Sequence, residues 1–282
     1  MSSYLAHTTW ERRLKIRRGE PVRECGLDFF PITMDRYEDF VRCKNALSIR
    51  MSSLPVRYVS MDYLSAIFAL ELDAQNGTGQ TSGIFYQLMR LFSLSVRIDM
   101  DGKTLGEKMH LVVDNGSVKL DHIQVDQIGA DGKPNSAQIT PFQFSSQIRP
   151  LIAAQNQILL PDEAENSDLV ADYEKKKEIQ HKGPPLNTDL DDLVSSVAYL
   201  SGVSDKEIMN WNVRDFENRR RAIERAMKYQ LYAQAEMSGM VSFKKGNPYP
   251  SWCFDAADDT LGTMAVTELA QTLSGAVSAG PA

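Results

Sequence analysis

The spacing of apolar residues changes near residue 95, and this change restricts the fold more than any other sequence feature. Upstream, apolar residues recur every three or four positions, as they do in amphipathic helices. Downstream, they alternate with polar residues around the turn dipeptides Asp101-Gly102 and Asn115-Gly116, a pattern typical of β-hairpins. The alternation begins at Val96, Ile98 and Met100. We therefore predict an α+β fold, predominantly α-helical, with a β-hairpin insert at about 95–139.

Capping residues locate the predicted helix starts, because their side chains can accept a hydrogen bond from the first free N–H groups of a helix. The candidates are Thr33, Ser60, Thr81 or Ser82, Thr140, Thr188 or Asp189, Ser204 and Asn212. Ser204 and Glu207 have the spacing of a capping box, and Pro141 occupies the favoured first position of its helix. The helix that begins after Thr140 is predicted to run to about residue 157.

The clearest break in the chain is the linker 181–188, where Gly183, Pro184 and Pro185 cannot continue a helix. With 282 residues, the chain has room for two modest domains. We predict an N-terminal helical lobe at 1–180, which carries the β-insert, and a C-terminal helical lobe at 189–255. The last residues, 256–282, are rich in Ala, Gly, Thr and Ser, and we expect a flexible tail there.

The longest predicted helix covers residues 213–237 and ends before Gly239. Its expected apolar stripe consists of Phe216, Ile223 and Met227. Its expected ion pairs, between residues four positions apart, are Glu217–Arg221, Arg220–Glu224 and Glu224–Lys228. From Tyr229 onward the apolar residues are distributed almost all round the helix. We therefore expect this second half to be buried on more than one side.

The charge of the chain argues against nucleic acid as a partner. The formal net charge is −6, whereas nucleic-acid-binding domains usually carry a strongly basic face. Two basic stretches are the candidates that remain, the N-terminal arm around Trp10 and the run Arg219–Arg221. Glu217 and Glu224 are interleaved with that run, which favours a solvated or internally paired surface over a phosphate-binding one.

The cysteines and the apolar runs indicate the compartment. Cys25, Cys43 and Cys253 are widely separated and have neither a disulfide framework nor zinc-ligand spacing, which favours a reducing environment. No stretch of about 18 apolar residues occurs, and no secretion signal precedes the first helix. We expect a cytoplasmic protein without a membrane segment.

No set of residues in the sequence satisfies the requirements of a catalytic, cofactor or metal site. The glycine-rich stretch 77–83 lacks the lysine of a phosphate-binding P-loop and follows a helix instead of a strand. His110 and His122 lie near carboxylates in the predicted β-insert, but their spacing matches no zinc template. We therefore predict a protein that is not an enzyme and that needs no cofactor or metal.

The segment 239–255, called the aromatic segment below, differs in kind from these patterns. It carries four large aromatic side chains between glycines and prolines, which lower the cost of ordering a binding epitope. They are Phe243, Tyr249, Trp252 and Phe254, and they are our candidate partner-binding residues. The alternative is that the segment folds back and covers the helices of 190–235.

Two groups of motifs resemble tail- and baseplate-assembly proteins of long-tailed phages and prophages, and together they cover about half of the chain. The first group comprises Leu190-Asp-Asp-Leu-Val, Ser204-Asp-Lys-Glu-Ile-Met-Asn-Trp-Asn-Val-Arg-Asp-Phe, Tyr229-Gln-Leu-Tyr-Ala-Gln-Ala-Glu-Met-Ser-Gly-Met-Val-Ser-Phe and Lys245-Gly-Asn-Pro-Tyr-Pro-Ser-Trp. The second comprises Phe30-Pro-Ile-Thr-Met-Asp-Arg-Tyr-Glu-Asp-Phe and Val59-Ser-Met-Asp-Tyr-Leu. The β-insert and the tail are not part of the resemblance.

The resemblance implies an α-rich, non-enzymatic protein that binds tail or baseplate-hub components in the host cytoplasm. The leading hypothesis is a chaperone-like assembly factor that is absent from the finished particle. The second is a permanent component of a tail, baseplate or related contractile particle, present as a homo-oligomer in the virion. The third is an enzyme that binds a nucleotide through 77–83 or a metal through the two histidines.

Overall fold

The computed structural model divides the chain into two compact units. The first comprises residues 1–164 and 186–221, and the second comprises 165–185 and 222–282. The structure describes residues 8–98, 108–114, 119–163, 189–238, 247, 249 and 251–254. These residues form mainly helices together with two small antiparallel sheets, which confirms the predicted α+β class.

The helices before the larger sheet are α1 (Trp10–Arg18), α2 (Tyr37–Cys43), α3 (Val56–Val59), α4 (Tyr63–Thr78) and α5 (Ile84–Ser95). Short 3₁₀ turns at Met34–Arg36, Lys44–Leu47 and Met51–Ser53 connect some of them. The predicted helix after Thr33 is therefore divided among two 3₁₀ turns and α2. Helix α1 was not predicted. Its N-cap is Thr9, whose side chain accepts from the Arg12 N–H, and its C-cap is Gly19 in the left-handed conformation.

The smaller sheet is a hairpin of β1 (Val22–Glu24) and β2 (Leu27–Phe29). The larger sheet has the order β3 (Met109–Asp114), β4 (Lys119–Ile128) and β5 (Pro134–Ile139), and its three strands are antiparallel. This sheet confirms the β-insert. The insert begins later than predicted, because the N–H groups of Val96 and Ile98 bond back to Phe92 and Ser93 in the last turn of α5.

A helical stretch follows β5 and consists of α6 (Pro141–Gln143), a π-turn (Phe144–Ile148) and α7 (Arg149–Asn156). Thr140 and Gln143 form the capping box at its start, as each side chain bonds to the backbone of the other. The predicted N-cap, the proline at the first position and the approximate end of this stretch are thus confirmed.

The core of the first unit is aromatic at its centre. The Phe92 ring lies between those of Phe29 and Phe144, with centroid distances of 6.1 Å and 5.8 Å, and all three side chains are fully buried. A buried glutamine, Gln127, joins the two sheets, because its amide accepts from the Asp28 N–H and donates to the Asp28 carbonyl. Buried hydrogen bonds therefore connect the β-insert to the core of this unit.

The helices that follow residue 188 are α8 (Leu190–Ser201), α9 (Asp205–Ile208) and α10 (Val213–Met237). The predicted caps are present: Asp189, Ser204 and Asn212 each accept from a backbone N–H of the first turn. Ser60 and Thr33 do not act as predicted. Asp62 precedes α4 instead of Ser60, and Thr33 donates to Asp35.

Backbone hydrogen bonds attach the start of α10 to the N-terminal part of the chain. The Met34 N–H donates to the Trp211 carbonyl at 2.9 Å, and the Val213 N–H donates to the Ile32 carbonyl at 2.8 Å. The predicted lobe boundary at 181–188 lies outside the described residues. Within α10, the boundary between the two compact units lies between Arg221 and Ala222, and the described residues 189–221 belong to the first unit.

The second half of α10 does not have the burial predicted from its sequence. Val213 and Phe216 are buried in the first unit, whereas no residue of 222–238 is buried. Met227, Leu231 and Met237 of this half are exposed, and its other apolar side chains are half-buried. Of the predicted ion pairs, Glu224–Lys228 is confirmed at 2.5 Å, and Glu217 pairs with Arg220, three residues away, at 2.9 Å.

Candidate protein-interaction site

The candidate site lies in the second unit and comprises the second half of α10 and the described residues of the aromatic segment. Of the four predicted partner-binding residues, Tyr249, Trp252 and Phe254 are described, and Phe243 lies outside the described residues. The three described aromatics have two different environments. One packs on the helix, and the other two are exposed.

Tyr249 anchors the aromatic segment to α10. Its ring centroid lies 4.9 Å from that of Tyr232, and the Lys228 ammonium lies 5.3 Å from the Tyr249 centroid. The Tyr249 N–H donates to the side chain of Asn247 at 2.8 Å, and Asn247 in turn donates to Glu236 at 3.4 Å. At Tyr249 the aromatic segment therefore packs back onto α10, the arrangement that the alternative prediction gave for the whole segment.

Trp252 is attached by its backbone and presents its ring to solvent. The Arg225 Nε–H donates to the Trp252 carbonyl at 3.1 Å, whereas the residue is 62% exposed. Phe254, two residues on, is 75% exposed. The Ser251 hydroxyl accepts from the N–H groups of Cys253 and Phe254 and so closes a backbone turn over residues 251–254, which carry the two exposed rings.

The helix side chains that contact the aromatic segment lie on one face of α10. Arg225, Lys228, Tyr232 and Glu236 follow one another at spacings of three and four residues, which one helical face requires. The sequence pattern places these residues on the helix but does not indicate their role in the site. Their spacing opposite an aromatic segment was the signal that could have identified them.

A second set of apolar side chains lies on a different part of α10. Met227, Leu231 and Met237 are 55%, 64% and 88% exposed. At about 100° per residue, Met227 and Leu231 lie more than 90° round the helix from Tyr232. The site thus presents apolar surface on the helix and two aromatic rings on the segment beside it.

Charge in the site is mainly paired. The hydrogen bond from Lys228 to Glu224 is the largest cause that raises the pKa of Lys228, and the ammonium therefore stays protonated while it lies over Tyr249. A cation over a tyrosine ring is attracted by the negative face of the ring. This contact adds to the ring packing that holds the aromatic segment on the helix.

The chain's three cysteines differ in exposure. Cys253, between the two exposed rings, is exposed, whereas Cys25 is half-buried and Cys43 is buried, and all three are free thiols. Burial raises the pKa of both the Cys25 and the Cys43 thiol, which lowers their thiolate fraction at neutral pH.

The glycine-rich stretch 77–83 begins in the last residues of α4, and its residues 79–83 connect α4 to α5. The Glu71 carboxylate accepts from the Ser82 hydroxyl and, at 3.3 Å, from the Gly83 N–H. An internal carboxylate thus occupies the N-terminal end of α5, where an anion would otherwise bind. A phosphate at this position would have to displace Glu71.

The two histidines of the β-insert lie on neighbouring strands, with His110 opposite Gln124 and His122 opposite Val112. His122 contacts Asp121 through Nδ1 at 2.7 Å. In the part of the chain that the structure describes, no group of three or more His, Cys, Asp or Glu side chains could hold a metal ion.

The two basic stretches are both helical in the described structure. Arg12 of α1 pairs with Glu24, and Arg219 of α10 lies 5.4 Å from the centroid of the Trp211 ring. Trp10 itself is 61% exposed. In each basic stretch, at least one arginine therefore contacts another side chain of the same chain.

Comparisons of the chain with protein-family models, with curated proteins and with solved structures found no match. Among the described residues, no helix combines the length and the apolar character needed to cross a membrane.

Proposed function

We propose that this protein is a non-enzymatic, chaperone-like assembly factor of a phage tail or baseplate, and that it binds a tail or baseplate-hub protein through its aromatic segment. The observation that supports this most directly is the position of Trp252 and Phe254. Both rings are exposed, at 62% and 75%, although hydrogen bonds of Arg225 and Ser251 hold the backbone around them.

Exposed aromatic rings have the properties of a binding epitope when hydrogen bonds already fix the backbone that carries them. Tryptophan is among the residues that contribute most to the affinity of protein interfaces. Because the backbone is already attached to α10, less conformational entropy is lost when a partner binds. The exposed Met227 and Leu231 enlarge the apolar area that a partner could cover.

The phage setting rests on the resemblance of the motifs between Asp189 and Asp255, which include both α10 and the aromatic segment. These motifs coincide with the surface proposed for binding. The alternative within the same setting is a permanent structural component of the particle.

A pull-down with identification of the captured proteins tests the binding surface. We expect the double variant Trp252→Ala/Phe254→Ala to lose at least about tenfold in affinity for the captured partner, because truncation of a central aromatic commonly costs about 2 kcal/mol or more. Circular dichroism and thermal unfolding should be unchanged, since both rings are exposed.

Tyr199→Ala is the matched control, because Tyr199 is an aromatic of the first unit that is 87% exposed. It should leave capture unchanged. Trp252→Ala combined with Tyr249→Ala should also weaken capture, as it removes one ring and the anchor of the segment. If either double variant unfolds the second unit instead, or if capture persists in both, the proposed surface is wrong.

The assembly role has a separate test in purified phage particles. A chaperone should be absent from them, so mass spectrometry should detect no stoichiometric peptides of this chain. Peptides in the amount of a tail or baseplate subunit would contradict the chaperone role and support the permanent component.

A further inference from the structure

Helix α1 carries its tryptophan and two of its four arginines on one face. At about 100° per residue, Trp10 and Arg13 lie within about 40° of Arg17 round the helix. Ile16, the buried residue of α1, lies about 100° from Arg17, whereas Glu11 lies about 120° away on the other side. Arg17 is exposed, Arg13 is half-buried and Trp10 is 61% exposed. This face, called the Trp10 face below, therefore combines an accessible indole ring with two guanidinium groups.

The two arginines of the Trp10 face are not neutralised internally. Among the residues that the structure describes, the side chains of Arg13 and Arg17 form no hydrogen bond or ion pair, and the Nε–H of Arg13 is buried without an acceptor. The other two arginines of α1 are each paired with a glutamate. Arg13 and Arg17 can therefore bind the oxygens of an external anion without losing an internal contact.

A third guanidinium group lies next to the Trp10 face. Arg214 is the second residue of α10, and its Nη1 donates to a backbone carbonyl of α7 at 2.6 Å. The end of α1 contacts the start of α10, because a Cβ atom on Gly19 would lie 2.5 Å from the Asn212 side chain. Burial is the main cause that lowers the pKa of Arg214, Asp215 opposes it, and the positive charge of Arg17 lowers that pKa further. An anion bound between Arg17 and Arg214 would offset this repulsion.

The chemistry of the Trp10 face favours one class of anion. Guanidinium groups bind phosphate oxygens through two parallel hydrogen bonds, and aromatic side chains stack on the flat faces of bases. Single-stranded nucleic acid offers both groups, whereas the bases of a duplex are already stacked on one another. An acidic protein segment would pair with Arg17 through its carboxylates but has no base to stack on Trp10.

We propose that the Trp10 face and Arg214 bind single-stranded nucleic acid without sequence preference, with the arginines on its phosphates and Trp10 stacked on a base. Proteins that bind single strands in this way combine a basic surface with aromatic side chains. This inference is independent of the proposed phage function, because it concerns the first unit and shares no residue with the aromatic segment.

The site is small, and the charge of the whole chain limits its affinity. Trp10 and Arg17 are seven positions apart in α1, which corresponds to about 10 Å along the helix and to about three nucleotides of a strand. The formal net charge of −6 gives no long-range attraction for a polyanion. Binding should therefore be weak and is best measured at low salt.

Fluorescence anisotropy of labelled oligothymidylate with the full chain tests the phosphate contacts. For about three contacts to a single strand, a plot of log affinity against log salt concentration should have a slope of about −2. Arg17→Gln should make this slope shallower by about 0.7, since one phosphate contact is lost. Arg42→Gln is the matched control, because Arg42 is also an exposed arginine of the first unit, and it should leave the slope unchanged.

The base contact has its own test at Trp10. Trp10→Ala should weaken binding about five- to 150-fold, the loss expected for one stacked base, and should leave the salt slope unchanged. Tyr86→Ala is the matched control, because Tyr86 is an aromatic of the first unit with nearly the same exposure, 63%. It should bind as tightly as the parent. Circular dichroism should show the parent's fold in every variant, since the altered side chains are exposed.

Two other polyanions complete the test on the unmodified protein. An oligothymidylate–oligoadenylate duplex and polyglutamate should both bind less tightly than the single strand. No binding of oligothymidylate at low salt would overturn the proposal, and so would a duplex that binds equally well. Polyglutamate that binds as tightly as the single strand would also overturn it and would assign the Trp10 face to an acidic protein instead.

Discussion

Two tyrosine hydroxyls connect the stability of the first unit to pH. Burial raises the pKa of Tyr37 and of Tyr63 to about 12, and the neighbouring Glu217 carboxylate adds to the effect on Tyr37. Both values lie above the ordinary tyrosine value of about 10. The folded chain therefore keeps two protons that the unfolded chain loses between pH 10 and pH 12.

We expect the free energy of unfolding to fall as pH rises from about 10 to about 12, since the unfolded state binds fewer protons there. The contribution of the raised pKa values is complete below pH 10. Urea unfolding at several pH values measures the slope, and Tyr37→Phe/Tyr63→Phe should flatten it. An equally steep loss in the double variant would assign it to other groups.

The stability of helix α10 depends on its N-cap residue, Asn212. Its Oδ1 accepts from the Asp215 N–H at 2.8 Å and so satisfies a free donor at the start of α10. Asn212→Ala should destabilise the protein by about 0.5–2 kcal/mol. Chemical unfolding measures the change, and Asn212→Ser should recover most of it, because serine is also a good cap. An alanine variant as stable as the parent would refute this role.

Sequence patterns predicted the elements that depend on local interactions. Thr140, Ser204 and Asn212 bond within one turn of their own helices, and their roles as caps are confirmed. Thr33 depends on distant residues, since it forms a β-bridge with Asn212. Its side chain donates to Asp35 instead of capping a helix. Such a contact between remote residues leaves no signal in the local pattern.

The second half of α10 shows the limit of inferring burial from composition. Apolar residues all round a helix usually indicate burial on several sides. In the described structure, Leu231 is 64% exposed and Met237 is 88% exposed. The same composition is expected of a surface that a partner covers, so periodicity alone does not separate core from interface.

The division of the molecule into two units predicts how chains that end at residue 221 or at residue 188 differ in stability. Ile208, Val213 and Phe216 are fully buried within the first unit, and Ile32 and Met34 bond to the backbone beside them. A chain of residues 1–221 should therefore unfold cooperatively. A chain of 1–188 should lose several kcal/mol, since each large buried side chain contributes about 1.5–3 kcal/mol.

Thermal unfolding and binding of a hydrophobic dye compare the two truncated chains. The shorter chain should melt at a lower temperature and bind more dye. If 1–188 matches 1–221 in both measurements, the N-terminal lobe predicted at 1–180 is self-sufficient and the contacts of 189–221 contribute little.

The candidate site could be predicted only in part. The aromatic content of 239–255 identified Tyr249, Trp252 and Phe254, because large rings beside glycine and proline are unusual. The sequence did not distinguish the ring that packs on Tyr232 from the rings that remain exposed. That distinction depends on how the aromatic segment lies along α10, which involves side-chain packing between two separate stretches of chain.

The exposed thiol of Cys253 makes the proposed surface accessible to covalent labelling. It lies between Trp252 and Phe254, whereas burial raises the pKa of the Cys25 and Cys43 thiols. A maleimide dye at neutral pH should therefore react first at Cys253, without any engineered residue. A fluorophore attached there would report directly on what approaches the two rings, and a bound partner would slow its attachment.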